Sequence, residues 1–433
     1  MERTLIDNAC VFTGEDVHPR TRIVIEQGCI AAIDPMDRDT IESGRRIDAA
    51  GRFASPGLIN THTHIYSTFA RGIPLPDPRP EDFPQLLKHL WWRLDRALDH
   101  ETLGLSAQWH GLECLQSGVT TLIDHHSSQH AIAGSLATID RALDLLGLRA
   151  CLCFEVSDRG GPAAVRAAIE ENIVFAQTCQ AGNRALRRAL FGLHAAFTLS
   201  DETLSACRDA VQAAGYPSGF HTHLGEDVCD ARDSAQRLHR FGILRPQTLC
   251  VHGVHLGTEE LALLADAGCW IVHCPESNMN NGVGTTSLDR LAQAGIRISL
   301  GSDGFTAQMA REALCAYLLQ NHERGDPRAG WRTAVDLLFQ ANSQVAREIF
   351  ELPLGRLEIG NPADLVLWDY WPPTPIDTAN AGAHLLFGLA GARAAEVFID
   401  GRQRIAAGRS TDCDEAHLAA ACRAAAAELW ERF

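Results

Sequence analysis

The sequence predicts an α/β protein, a (β/α)8 TIM barrel with a small composite β-sandwich domain built from both chain ends. Short alternating strands occupy the first 55 residues, apolar runs alternate with amphipathic segments in the middle, and short strands return after Leu354. Strands that alternate with helices indicate parallel β/α units, and at least seven or eight of them in a row favour a closed barrel. We therefore expect a β-domain of residues 1–55 and 354–433 beside a barrel of residues 56–353.

Each part of the chain has its own pattern. Near the amino terminus, TLIDNACVFT and RTRIVIEQGCIAAID alternate β-branched residues and are broken by Gly, Asp and Pro, which is typical of strands and hairpins. The apolar runs of the barrel are GVTTLID, LRACLCFEV, ALFGLHAAF, SGFHTHL, TLCVHGV, CWIVHCP and RISLGSD. The carboxy-terminal part returns to strands in LEIGNPADLVLWDY and AEVFIDGRQRIAAGR, and a final helix is expected from about Asp414.

Composition excludes several classes of function. The 433 residues carry 38 Lys and Arg against 54 Asp and Glu, a net charge of −16, which disfavours binding to nucleic acid or to anionic membranes. No stretch approaches the roughly 20 apolar residues of a membrane span, and the start MERTLIDNAC lacks the pattern of a signal peptide. The 14 cysteines are scattered without C-x-x-C spacing. We expect a cytoplasmic protein in a reducing compartment.

Candidate metal ligands follow the apolar strands. His62 and His64 lie two residues apart directly after PGLI, so an extended strand would direct both imidazoles to the same side. A later strand ends in His221-Thr222-His223-Leu224-Gly225-Glu226, where either histidine could supply a third imidazole. Catalytic groups of barrel enzymes gather at the carboxyl ends of strands, so this pattern predicts a metal site.

Two further strand ends add polar groups. His252 ends the run TLCVHGV, and Asp303 follows RISLGS. Three neutral imidazoles and one carboxylate suit a single divalent ion with a position left for water. Zn²⁺ is the expected ion, with Fe²⁺ as the alternative.

The motifs P-G-L-I-N-T-H-T-H, H-L-G-E and G-S-D-G together resemble the amidohydrolase superfamily. Within it the chain is similar to the aminohydrolase and chlorohydrolase group, which includes triazine hydrolases and deaminases of nucleobases and nucleosides. The segments WWRLDRALD, GSLATIDRAL and SNMNNGVG look most like the aminohydrolase associated with selenium metabolism. The resemblance extends over essentially the whole chain.

The resemblance implies a role for each matching residue. It implies metal ligands at His62, His64, His223 and Asp303. It further implies that Asp303 accepts the proton of the attacking water, that Glu226 transfers protons, and that His252 hydrogen-bonds the developing oxyanion or the attacking water. Residues expected to face the substrate are His194, His273, Asn278 and His126.

Two features of one segment bear on the substrate and on assembly. Nucleoside deaminases are expected to hold ribose hydroxyls with a carboxylate where this chain has Leu94, with Asp95 beside it. Trp91 and Trp92 could form a lid, core or a subunit interface, and we favour core or interface. Barrels of this kind commonly associate, so a homo-oligomer, dimer or tetramer, is expected.

The sequence therefore predicts a metal-dependent aminohydrolase that uses metal-activated water on a C–N bond of a small nitrogen heterocycle, such as a purine, pyrimidine or triazine. One alternative is hydrolysis of a cyclic amide or guanidine C–N bond. The bridging carboxylated lysine of binuclear amide hydrolases has no counterpart at a strand end, because Lys88 lies in a helical segment. The other alternative is a metal-binding barrel without catalysis.

Overall fold

The computed structural model describes residues 3–36, 43–75, 77–182, 185–215, 219–230 and 233–433. Its strands, numbered along the described residues, are β1 Thr4–Phe12, β2 Val17–Glu26, β3 Cys29–Pro35, β4 Arg45–Asp48, β5 Phe53–Pro56, β6 Leu58–Thr63, β7 Val119–Asp124, β8 Arg149–Leu152, β9 Arg187–Ala189, β10 Phe191–Ala195, β11 Phe220–Leu224, β12 Leu249–His252, β13 Trp270–His273, β14 Arg297–Leu300, β15 Leu365–Trp368, β16 Ala394–Ile399, β17 Arg402–Ala406 and β18 Arg409–Ser410.

Helices alternate with the strands through the middle of the chain. The α-helices are α1 Phe83–Leu86, α2 Trp92–Ala97, α3 His100–Gln116, α4 Ser135–Leu146, α5 Gly161–Ala181, α6 Asp201–Ala213, α7 Ser234–Arg240, α8 Thr258–Ala267, α9 Pro275–Asn280, α10 Leu288–Gln293, α11 Met309–Arg324, α12 Trp331–Asp336, α13 Asn342–Phe350, α14 Ala381–Ala383 and α15 Glu415–Arg432. Wider π-helical turns cover Leu87–Trp91, Leu337–Ala341 and His384–Gly388. None of the described helices is long and apolar enough to cross a membrane.

One mixed sheet joins both ends of the chain. Its strands run in the order β18-β17-β16-β15-β5-β1-β2-β3, and β4 pairs with β1. The connection is made where β15 pairs antiparallel with β5. Apolar side chains from both ends, including those of Ile6, Ile23 and Leu365, form one buried cluster on this sheet. The sheet therefore needs residues from the start and the end of the sequence.

Parallel strands surround the second core. They form one sheet in the order β6-β7-β8-β9 and another in the order β10-β11-β12-β13-β14. A single residue, Leu190, separates β9 from β10, and a parallel bridge joins Val156 to Leu193. At the other edge a parallel bridge joins Thr63 to Asp303. The arrangement resembles a TIM barrel with mixed α/β content, and the carboxyl ends of its strands lie at one side.

The final helix begins where the sequence predicts it. Asp414 caps α15, and its carboxylate accepts hydrogen bonds from the backbone N–H groups of Ala416 and His417. The helix packs on α3, and Trp430 donates its indole N–H to the carbonyl of Phe69. The carboxy-terminal helix thus contacts the segment that follows β6.

A buried ion pair ties the parallel strands to the mixed sheet. Arg149, the first residue of β8, donates to both carboxylate oxygens of Asp364 at 3.1–3.3 Å, and both side chains are almost completely buried. The same carboxylate accepts the backbone N–H of Asp400 at 2.7 Å. Removing one partner of such a pair leaves an uncompensated buried charge.

We predict that Asp364→Ala lowers the free energy of unfolding by about 3–5 kcal/mol, because Arg149 loses its counter-ion. The denaturation midpoint in guanidinium chloride measures the effect. Asp209→Ala is the control, since Asp209 pairs with Arg208 at the exposed surface and its loss should cost less than about 1 kcal/mol. Equal shifts in the two variants would contradict the prediction.

Candidate active site

Three imidazoles converge where β6 and β11 end. His62 lies near the end of β6, and His64 follows the strand in extended backbone, so both rings are directed to one side. His223 reaches the same point from β11. Each ring is anchored through Nδ1. His64 donates to the carbonyl of His125 at 2.5 Å, and His223 donates to the carbonyl of His194 at 3.0 Å.

The Nε2 atoms of these rings face one another. His64 Nε2 lies 3.2 Å from His223 Nε2 and 3.2 Å from Asp303 Oδ1, while His62 Nε2 lies 3.8 Å from the same carboxylate oxygen. His62 Nε2 is buried without a hydrogen-bond partner among the described residues. Four ligands in a tetrahedron around zinc would be separated by about 3.4 Å, because each sits about 2.1 Å from the ion. These residues therefore fit a divalent cation.

The protonation states agree with that fit. Burial lowers the pKa of His62, His64 and His223, so the rings are neutral, the form that binds metals. Burial alone would raise the pKa of Asp303, but the neighbouring His64 and His252 and two hydrogen bonds hold it below its usual value. The carboxylate is thus available as an anion.

Asp303 is fixed by contacts from helix α9 and from its own loop. Its Oδ2 accepts a hydrogen bond from the Ser277 hydroxyl at 2.5 Å, and its Oδ1 accepts the backbone N–H of Gly304 at 2.6 Å. The residue has a φ of +55°, in the left-handed region that Asp tolerates better than most residues. These contacts direct both oxygens toward the histidines.

Glu226 and His252 lie on the other side of Asp303. His252 Nε2 is 3.4 Å from Glu226 Oε2 and 3.8 Å from Asp303 Oδ2. The Nδ1 of His252 donates to Asn278 Oδ1 at 2.9 Å, which sets the ring orientation. Burial, and then the charge of Asp303, raises the pKa of Glu226 well above its usual value. The protonated form of Glu226 is therefore favoured more than that of an exposed glutamate.

Gly225 shapes the turn that brings Glu226 to the site. Its φ is +61°, and a Cβ at this position would lie 2.7 Å from the Leu256 side chain. Its N–H donates to Asp230 Oδ2 at 2.7 Å. The turn after β11 therefore favours glycine both for its backbone conformation and for the space available.

A pocket that is partly open to solvent lies above these groups. Its walls combine aromatic and polar side chains, and the polar lining includes Glu155, Asn281 and His194 besides the groups described above. The aromatic lining residues are Tyr66, Phe83, Trp91, Trp92, Phe197 and Phe305. Trp91 and Trp92, for which core or a subunit interface was favoured, are partly buried in this wall.

The four residues expected to face the substrate separate into two groups. His194 lines the pocket, with Nδ1 2.8 Å from the Thr198 hydroxyl. The other three, Asn278, His126 and His273, are fully buried outside the lining. Asn278 accepts a hydrogen bond from His252, and His126 Nε2 lies 2.9 Å from the Ser128 hydroxyl. Both ring nitrogens of His273 are without a hydrogen-bond partner among the described residues. Substrate contact by these four residues stays a prediction.

Sequence reasoning missed Glu155 and Asn281. Glu155 follows the run LRACLCF and so had the same signal, a polar residue after an apolar strand, that identified the histidines. Burial raises its pKa to about 8. Asn281 donates to Glu226 Oε1 at 3.1 Å, but it lies at the end of helix α9, where no strand pattern marks it.

The sequence pattern of the amidohydrolase family matches residues 53–404. The chain belongs to the amidohydrolase family. As a member it is a hydrolase that acts on C–N bonds. A curated relative, 5-methylthioadenosine/S-adenosylhomocysteine deaminase of Moorella thermoacetica, is 30% identical over 386 residues, which covers 85% of this chain and 86% of the relative.

Two solved structures resemble this amidohydrolase in fold. A zinc-bound adenosine deaminase from Xanthomonas campestris has a TM-score of 0.82 at 21% identity, covering 99% of this chain and 97% of that chain. The atrazine chlorohydrolase of Arthrobacter aurescens TC1, complexed with zinc, has a TM-score of 0.79 at 22% identity, covering 98% of this chain and 100% of that chain.

We predict that His223→Ala in this amidohydrolase loses bound metal, because one of three converging Nε2 atoms is removed. The matched control is His221→Ala on the same strand. His221 Nε2 lies 2.9 Å from His62 Nδ1, so its loss should leave a full metal equivalent with affinity weakened about 10–100-fold. Metal analysis and competition with a chelator measure both effects. Metal lost from His221→Ala but retained by His223→Ala would reverse the assignment.

Proposed function

We propose that this amidohydrolase is a metal-dependent aminohydrolase that removes an amino group from a ring C=N carbon of a small nitrogen heterocycle. The observation that carries the proposal is the position of Glu226, whose pKa is raised by burial, beside His252 and Asp303 and next to three imidazoles with converging Nε2 atoms. Ligation alone needs neither Glu226 nor His252. Their position favours proton transfer at the site.

We propose His62, His64, His223 and Asp303 as ligands of one divalent ion. Zinc is favoured because the donor set is three imidazoles and a carboxylate and because the two similar solved structures carry zinc, with Fe²⁺ as the alternative. Such an ion, when bound, lowers the pKa of water toward about 7 and supplies a nucleophile at neutral pH.

The chain's own residues then move the protons. Asp303 accepts a proton from the attacking water, since Oδ2 is held toward the site by Ser277. Glu226 donates its proton to the ring nitrogen next to the attacked carbon, takes up the proton that Asp303 accepted from the water, and delivers it to the departing amine. The proton left on the new hydroxyl returns to Glu226 as the ring carbonyl forms. Because Asn278 accepts the Nδ1 proton of His252, the Nε2 of His252 faces both carboxylates and can hydrogen-bond the attacking water.

The pocket wall supports a flat substrate. Aromatic side chains such as Trp91, Trp92 and Phe305 offer faces and edges on which a heterocycle can stack. The relative of Moorella thermoacetica is a deaminase of adenosine derivatives, which favours an aminopurine, while pyrimidine and triazine rings remain within the proposal. Asp95 does not line the pocket, because Ser127 and Arg159 hold its Oδ2 at 3.1 and 2.8 Å.

Finer features of architecture and assembly belong to the same proposal. We propose that the two parallel sheets close into one barrel of residues 56–353, and that residues 1–55 and 354–433 form the β-sandwich domain. A homo-oligomer, dimer or tetramer, is supported by exposed Phe387 and Trp331, which pack with Tyr317. A cytoplasmic location is supported by 14 cysteines that are all unpaired.

We predict that Glu226→Gln keeps one metal equivalent per chain and lowers kcat at least about 100-fold, because the ligands remain while proton transfer is lost. Metal analysis beside steady-state kinetics measures both. Asp227→Asn, a neighbouring carboxylate outside the pocket lining, is the control and should keep near wild-type turnover. Loss of metal from Glu226→Gln would make Glu226 a ligand instead.

Ammonia release tests the activity itself. We expect metal-loaded protein to release ammonia from at least one member of a panel of aminopurines, aminopyrimidines, aminotriazines and adenosine derivatives, and Glu226→Gln to abolish that release. Silence across the panel with metal still bound would favour the alternatives, namely cyclic amide or guanidine hydrolysis or a barrel without catalysis. Hydrolysis of cyclic amides, assayed in parallel, separates those two.

A further inference from the structure

The charged lining of the pocket is entirely acidic among the described residues. Neither Lys nor Arg is among its lining residues. Four carboxylates line it: Glu155, Glu226, Asp230 and Asp303. A substrate that carried phosphate or carboxylate would find no cation to pair with and would approach several acidic groups in a partly desolvated space. The bound metal would offset this charge only at the ligand end of the pocket.

Of these four carboxylates, Glu155 has no role in the proposed chemistry and does not hold a turn. It follows β8, where its backbone N–H donates to the carbonyl of His126 at 2.8 Å. One of its oxygens lies within 4.8 Å of ring nitrogens of His194 and His223, so the group sits beside the ligand cluster. Asp230, by contrast, accepts hydrogen bonds from Gly225 and Ser234 and is used in holding the turn after β11.

The nearest cation does not neutralise this pocket. Arg159 Nη2 lies 2.8 Å from Asp95 Oδ2 and 3.3 Å from Glu155 Oε1, so one guanidinium serves two carboxylates. Its Nε donates to the Ser157 hydroxyl at 3.1 Å, and its plane lies over the Trp92 ring at 4.9 Å. Arg159 is therefore held behind the wall and is not free to bind an incoming anion.

Glu155 retains capacity to accept hydrogen bonds. Its Oε1 accepts one N–H from Arg159, and its Oε2 lies 3.6 Å from Nδ1 of His125, a ring whose nitrogens are buried without hydrogen-bond partners among the described residues. A carboxylate offers about four lone-pair positions. Burial raises the pKa of Glu155 to about 8 even though Arg159 opposes the rise, and a donor or cation bound beside it would recover that cost.

We propose that Glu155 is a specificity-determining residue of this site: it accepts a hydrogen bond from a hydroxyl or ammonium group on the substrate's side chain and, with the other carboxylates, excludes anionic side chains. The inference rests on the proposed deaminase function, since it concerns the substrate of the same site. The substrate class it names is an aminoheterocycle with a neutral or cationic donor substituent.

The test compares substituents of similar size and different charge on two rings. The probes are adenine carrying 2-hydroxyethyl, 2-aminoethyl or carboxymethyl on N9, and melamine carrying the same three groups on one exocyclic nitrogen. Ammonia release by zinc-loaded wild type gives kcat and KM. Calorimetry on zinc-loaded Glu226→Gln gives binding without turnover. At pH 9, where Glu155 with its pKa of about 8 is ionised, we expect the carboxymethyl probe to bind at least about tenfold more weakly than the hydroxyethyl probe on whichever ring is accepted.

Glu155→Gln, combined with Glu226→Gln for calorimetry, should lower the ratio of the carboxymethyl to the hydroxyethyl dissociation constant at least about fivefold. The change should appear chiefly in binding or KM, because the shape of the side chain is kept and its charge is removed. Arg159 still has Asp95 as a partner in this variant, so the wall should persist. Glu260→Gln is the matched control: this buried glutamate caps α8 outside the pocket and should leave the ratio unchanged. Glu155→Asp keeps the carboxylate, so the carboxymethyl probe should still bind more weakly than the hydroxyethyl probe.

The outcomes separate the two proposals. Deamination of a ring without regard to substituent charge overturns the role of Glu155 and leaves the deaminase function standing. The same result follows if Glu155→Gln and Glu260→Gln change the ratio equally. Should Glu155→Gln not fold, tight binding of the carboxymethyl probe to wild type is still sufficient to overturn the inference. If no probe on either ring is turned over or bound, both the deaminase function and the role of Glu155 are overturned.

Discussion

The active site depends on how the Nδ1 atoms of three histidines are occupied. The carbonyls of His125 and His194 accept the Nδ1 protons of His64 and His223, so the bare nitrogen of each ring must be Nε2. His125 directly follows β7 and His194 lies in β10, the strands next to β6 and β11, so the backbone of the parallel strands sets the direction of the proposed ligands. An imidazole rotated by a ring flip would lose this hydrogen bond and leave a buried donor without an acceptor.

The positions of Glu226, His252 and Asp303 depend on contacts from residues that follow β13. Asn278 orients His252, and Asn281 contacts Glu226, although both amides come from the loop and helix after β13 rather than from the strand ends that carry their partners. Ser277, on the same helix, donates to Asp303. Residues of one short helix and its end thus contact Asp303, Glu226 and His252 together. A displacement of this helix would disturb all of these contacts at once.

Sequence reasoning predicted what strand periodicity and strand ends can reveal. The i, i+2 spacing of His62 and His64 and the polar residues that follow apolar runs identified the groups that converge in the structure. The residue pattern alone left open whether His221 or His223 supplies the third imidazole, because side chains two residues apart on a strand point the same way. Contacts between elements distant in sequence, such as Arg159 with Asp95 and Trp92 beside the pocket, have no local pattern and required the fold.

The pairing of β15 with β5 has a consequence for any shortened form of the chain. Strand β5 lies between β1 and β15 and continues almost directly into β6, which carries His62 and leads into His64. Deleting the carboxy-terminal strands would leave β5 with open N–H and C=O groups along one edge, beside the apolar residues that β15 now covers. Such an edge can pair with another chain, so truncation would favour aggregation through the segment that leads into the active site.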